Sequence, residues 1–251
     1  MLRKRPVIQT LQAPVDVSAA TRERVERIVT AARQEIELAN HDGAFRSLVR
    51  ARDDAEHRGA ARESIALSIA FAHLLLEESE LDAARIEALS AALLARRVRA
   101  FGLEAQARVA LGAAHFANHD PEAAIASLVA AGEIALRSEM SSCAIDAFRC
   151  AAQVLAWLGR DEDALDALLS ALALADHTLP DGGKPDLSAA VEATVALCLL
   201  HGLEAQAESL VSLLVELQQG AASRVPQSGV FEAGARPTPS PWSPTPWPTQ
   251  L

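Results

Sequence analysis

The residues that could do chemistry in this chain are few, and their spacings can be tested one by one. His115 and His119 stand four apart, as paired zinc ligands do on one helix edge. The glutamate that should follow the first histidine is replaced by Phe116, and no third ligand is evident. Both histidines therefore read as packing and turn residues. Asp161-Glu162-Asp163 is a carboxylate cluster at an expected helix start, where the macrodipole favours negative charge. Gly182-Gly183-Lys184 imitates the end of a phosphate loop, but Thr178 stands where the leading glycine should be and Pro185 where Ser or Thr should. Cys143, Cys150 and Cys198 form no Cys-x-x-Cys pair. Cys143 and Cys150, seven apart, fall on one helix face as small apolar fillers. No serine or cysteine has a recognisable base beside it. The expectation is a protein with no catalytic residues, no cofactor and no metal.

The elements that carry these residues are set by composition. Of 251 residues 50% are hydrophobic and only 4% aromatic, with no tyrosine, so the chain can build a core. About one residue in five is alanine, the strongest helix former, while β-branched residues are sparse. An all-α fold follows. The formal charge is −10; Arg3, Lys4 and Arg5 contribute +3 near the start and residues 220–251 contribute +1, so the body between carries about −14. Such a body repels phosphate backbones and anionic lipid surfaces, which argues against nucleic-acid and membrane partners. The longest apolar run, Ile65 to Leu76, stops at Glu77, short of the ~18 residues a membrane span needs. With no secretory pattern behind the basic N-terminus and no paired cysteines, a reducing, cytoplasmic setting is expected.

Internal periodicity organises the body. Leu111-Gly112-Ala113-Ala114-His115-Phe116, then Asn118-His119-Asp120-Pro121-Glu122-Ala123-Ala124-Ile125, reads as helix, tight turn, helix, with Asp120 as N-cap and Pro121 at the first helical position. The pattern recurs every 40 residues, and once after 43, placing a small residue behind the turn at Ala44, Ala84, Ala124, Ala164 and Ala207. The hexapeptide Gly-Leu-Glu-Ala-Gln-Ala occurs at Gly102–Ala107 and again at Gly202–Ala207, two and a half periods apart. Both glycines read as helix stops, which supports helices starting about every 20 residues. The expected helices are 18–39, 43–58, 61–78, 82–101, 103–118, 121–139, 142–158, 161–176, 187–201 and 203–219. Residues 1–16 should be an irregular basic segment and 17–219 the helical array. Residues 220–251, with seven of the twelve prolines, should be a disordered, extended Pro/Trp-rich tail.

The repeat resembles the tetratricopeptide-repeat (TPR) family. Leu111, Gly112, His115, Ala124, Leu128 and Ala131 match the family's signature offsets, over residues 25–219 in all. The period is 40 instead of 34, most aromatic positions are Leu or Ala, and the proline ending each repeat is missing. The resemblance implies a right-handed α-solenoid of about five antiparallel helix pairs and a non-catalytic role in holding a protein or peptide partner. It also implies which residues face the concave groove: Arg33 and Glu37, His73 and Leu76, Phe116, then Arg149, Gln153 and Trp157, then Glu192 and Leu199. Trp157, at the end of a helix, suits either core packing or a groove anchor. Arg149 and Gln153 precede it by eight and four residues on nearly the same stripe, suiting an acidic or aromatic peptide. In the tail Trp242, Trp247 and the terminal Leu251 offer a second docking element.

The last helix, Leu203–Gln219, should bury Leu203, Ala207, Leu210, Val211, Leu214 and Leu217, leaving Leu213 and Val215 outside. Those two suit either a homodimer face or a site covered by a returning tail. The function expected is a scaffold or adaptor, the alternative a regulatory or sensor repeat protein acting on a transcription or signalling partner.

Overall fold

A computed structural model of the chain describes residues 17–138 and 140–177, together with Val195, Glu208, Val211 and Ser212. Its architecture follows from one repeated junction. Helices α2 (His41–His57), α3 (Ala61–Glu77), α4 (Leu81–Arg97), α5 (Phe101–Ala117), α6 (Pro121–Arg137), α7 (Ser141–Trp157) and α8 (Asp161–His177) are each 17 residues long, behind a slightly longer α1 (Ala19–Glu37). Three residues separate each from the next. The second of the three takes the left-handed conformation at Ala39, Gly59, Ser79, Arg99, His119 and Gly159. The N–H of the third donates back to a carbonyl in the last turn, as in Glu80 to Leu75 (2.8 Å), Ala100 to Ala95 (2.9 Å) and Arg160 to Leu155 (3.0 Å). This is the Schellman closure, which satisfies the orphan carbonyls and turns the chain back on itself.

Helix starts are less uniform. Ser18, Asn40 and Asp120 accept from the N–H three residues on, at 3.2, 3.2 and 3.1 Å, and Pro121 follows Asp120 as its fixed φ favours. Asp161, Glu162 and Asp163 occupy the first turn of α8, where Arg160 Nε donates to Asp163 at 2.7 Å.

Consecutive helices pack antiparallel, and the small residue behind the turn (Ala44, Ala84, Ala124 and Ala164) is fully buried at each contact. Gly112 lets α5 approach α6 closely: a Cβ there would stand 2.7 Å from Leu128 Cγ. Odd-numbered helices also touch the next odd-numbered helix, α1 with α3, α3 with α5 and α5 with α7, while the even-numbered ones make no comparable contact with each other. The array therefore bends with α1, α3, α5 and α7 inside and α2, α4, α6 and α8 outside. Among the described residues there is no strand, and no helix is long and apolar enough to cross a membrane.

Two expectations are corrected. Gly102 is no helix stop: α4 ends at Arg97, the left-handed residue is Arg99, and Gly102 is buried in the first turn of α5. The even 20-residue beat, not the glycine, fixes the junction. Val211 is not buried; it is 45% exposed, and Glu208 and Ser212, at helical spacings of three and one from it, are exposed too. Val195 is helical and packs against the core of α7 and α8. Residues 1–16, Glu192, Leu199, Leu213, Val215 and the tail with Trp242, Trp247 and Leu251 lie outside the described residues, as does most of the fifth helix pair.

Candidate partner-binding groove

The 40-residue period writes the inner face as rows, one residue from each odd helix. One row is Val29, Ile69, Val109 and Arg149; the next is Arg33, His73, Ala113 and Gln153; a third is Glu37, Glu77, Ala117 and Trp157. The middle of these rows is apolar and small: Ile69 on α3 and Val109 and Ala113 on α5 are buried where α5 is wedged between its neighbours. Polar chemistry is confined to the two ends.

At the first end Arg33 Nη2 donates to Glu77 Oε1 at 3.0 Å across α1 and α3, and both side chains remain solvent-accessible. His73 lies partly buried between the two helices. Burial, helped by the nearby Arg33 guanidinium, pushes its imidazole down to about 4, so the ring is neutral at neutral pH.

At the second end Arg149 Nη2 stands 3.5 Å from Asp146 Oδ1 one turn earlier on α7. Burial raises the Asp146 carboxyl, and Arg149 opposes that rise by charge and hydrogen bonding. Gln153 follows on the same stripe, and its Oε1 is buried with no hydrogen-bond donor. Trp157 closes the row, its indole edge-on to Phe116 with centroids 5.3 Å apart and planes at 89°.

The inner face thus takes up Arg33, His73, Arg149, Gln153 and Trp157, but Phe116 is corrected. It is 4% exposed and belongs to the core between α5 and α7, because its position in the last turn of α5 points at α7 and not into the bend. Trp157 packs on that core and keeps part of its surface accessible. Leu76 is likewise packed against core, and Glu37 is exposed. Sequence reasoning missed Glu77 and Asp146. Their signals were present, since Glu77 follows Arg33 by one period plus one helical turn and Asp146 precedes Arg149 by three residues.

The other chemical candidates are placed as structure. His115 Nδ1 is 3.9 Å from Asp120, burial lowers its pKa, and His119 is itself the left-handed turn residue. Cys143 and Cys150 are buried thiols pushed up to about 12 by desolvation, which makes them inert. Among the described residues no three His, Cys, Asp or Glu converge as a metal site.

No protein-family model and no curated protein matches the chain. A solved structure does. It is a Podosopora anserina protein assigned as a kinesin light chain with nearly identical TPR-like repeats, similar at a TM-score of 0.57 over 80% of this chain and 97% of that one. The chain folds as a TPR-like helical repeat. At 15% identity the likeness is one of fold.

Proposed function

We propose that this protein is a non-catalytic, cytoplasmic scaffold or adaptor whose inner face holds a peptide or helix of a partner protein. The observation that carries the reading is Gln153. A buried amide oxygen without a donor costs about 1–3 kcal/mol, and turning this half-buried side chain outward onto a partner's N–H would remove that cost. Arg149 and Trp157 flank it on the same stripe, one offering a cation and the other a large apolar edge. At the opposite end Arg33 offers a second cation, which an acidic partner residue would share with Glu77. The apolar middle suits a segment with apolar residues between acidic ones. The Pro-rich tail, through Trp242, Trp247 and Leu251, serves as a second docking element that needs little ordering to bind.

The test uses the full chain and a version ending at Gln219 as baits for partner proteins, with Arg149→Glu and Gln153→Ala introduced together in each. Groove binding predicts that both baits capture the same partner and that the double substitution abolishes capture with helicity unchanged. Capture that survives the double substitution and disappears with the tail would overturn the groove reading.

A further inference from the structure

One exposed stripe breaks the pattern of the outer face. On α4 the outward residues are Asp82, Ile86, Leu89, Leu93 and Arg97, at helical spacings of 4, 3, 4 and 4. Ile86 is 58% exposed, Leu89 41% and Leu93 59%, a contiguous apolar strip on a helix that nothing in the array covers. The equivalent positions on α2 are Asp42, Arg46, Val49, Asp53 and His57, and on α6 Glu122, Ala126, Val129, Glu133 and Arg137. Those sequences are ordinary solvated faces. The apolar strip belongs to α4 alone among these three.

We infer that α4 is the contact of a homodimer, in which the same helix of a second copy lies antiparallel across it about a twofold axis. The register of the helix selects this pairing. A twofold contact pairs residue i with residue j and j with i. Setting Asp82 of one copy against Arg97 of the other fixes the axis between residues 89 and 90. That same register sets Ile86 against Leu93 and places Leu89 beside the axis. The charges at the ends and the apolar residues between them select one alignment. The ends of the strip are also open to be paired. Arg97 is exposed and has no ion-pair partner among the described residues, and Asp82 reaches Arg85 only at 3.7 Å while accepting a 3.3 Å bond from Asn118. The two charges of one copy lie about 22 Å apart along the helix, too far to neutralise each other. The antiparallel arrangement brings each helix N-terminus to the other's C-terminus, which the macrodipoles favour.

A contact built on one helix face is smaller than the ~800 Å² per partner of standard interfaces, so the dimer is reversible and forms in the micromolar range. It leaves the inner face free, and it does not depend on the groove reading.

Sedimentation equilibrium of the full chain over a range of concentrations tests it. The expected result is a monomer–dimer equilibrium that Leu93→Glu shifts to monomer, because each contact then buries a charge among apolar residues, with dissociation about 100-fold or more easier. Arg97→Asp alone places carboxylates against each other twice per dimer and weakens it about tenfold or more. Combining it with Asp82→Arg restores the affinity to within about threefold of the starting protein, because the pair is merely reversed across the axis. Circular dichroism melts accompany each variant, since all three positions face solvent and should leave the fold intact. A chain that stays monomeric throughout overturns the inference. So does a dimer indifferent to Leu93→Glu, which would place the contact elsewhere, for example at Leu213 and Val215. A charge reversal that fails to restore affinity overturns the antiparallel register.

Discussion

Phe148 and Gly132 show how far single residues can be read. The equivalents of Phe148 one and two periods earlier are Arg108 and Ser68, and only opposite Phe148 is the facing position a glycine. A Cβ on Gly132 would stand 2.7–2.9 Å from the Phe148 ring, so the glycine exists to admit the ring. Gly132→Ala should therefore destabilise by about 1–2 kcal/mol, despite the ~1 kcal/mol that alanine gains over glycine inside a helix. In a Phe148→Ala background the same change should stabilise by roughly that propensity difference. Urea midpoints of the four proteins decide; equal effects in both backgrounds would mean the ring is not the obstacle. His73 makes a second residue-scale prediction. Its folded pKa of about 4 lies below the ordinary 6.5, so between those values the unfolded chain binds a proton that the folded one refuses. Stability is then lost as pH falls from about 6.5 toward 4, and nothing is lost from this group above 6.5. His73→Gln should flatten that part of the pH–stability curve. An NMR titration placing the His73 imidazole near 6.5 would remove the argument.

The element scale belongs to the three-residue junction, and here the sequence is legible in one respect and opaque in another. Buried alanines at 44, 84, 124 and 164 announce the 40-residue period, because only a small side chain lets paired helices close behind a turn. The left-handed residue is not announced. It is glycine at 59 and 159, yet alanine at 39, serine at 79, arginine at 99 and histidine at 119, so glycine spotting finds two junctions and misplaces a third at Gly102. Side-chain direction within a helix is similarly hidden: Phe116 and Trp157 look interchangeable as aromatics, but one is core and the other half so. The conformational cost at the non-glycine junctions can be measured. Ser79→Gly and Arg99→Gly should each stabilise by about 0.5–1 kcal/mol, and together nearly additively, since a left-handed residue with a Cβ is disfavoured. Gly59→Ala is the converse. A Cβ there meets no heavy atom within 4 Å, so any loss, about 1 kcal/mol, is backbone strain alone. Thermal melts that rank these three otherwise would show that the junctions are not the repeated Schellman closure described above.

At the scale of the whole molecule, each helix pair contacts only its neighbours in sequence, so stability is distributed along a line. The distribution is uneven. From Gly102 to Ala114 every residue of α5 except Arg108 is buried, because α5 has α4 and α6 behind it and α3 and α7 beside it on the inside of the bend. Among the described residues α1 has neighbours on one side only, and just Val25, Val29 and Ala32 are buried in its 19 residues. A polar first helix suits the end of the described array, because among the described residues no further helix packs on it. Opening should then begin at α1 and α2 and reach α5 last. In native-state hydrogen exchange the amides of α5 and α6 should be protected nearly to the global unfolding free energy, and those of α1 by several kcal/mol less. The same order should appear in proteolysis, where cuts between α1 and α8 should come first around the α1–α2 junction at Ala39 and not within α5. Uniform protection from α1 to α7 would mean that the array unfolds as one block. The inner-face ladder from Arg33 to Gln153 would then be a rigid template and not one that can yield at its α1 end to admit a partner.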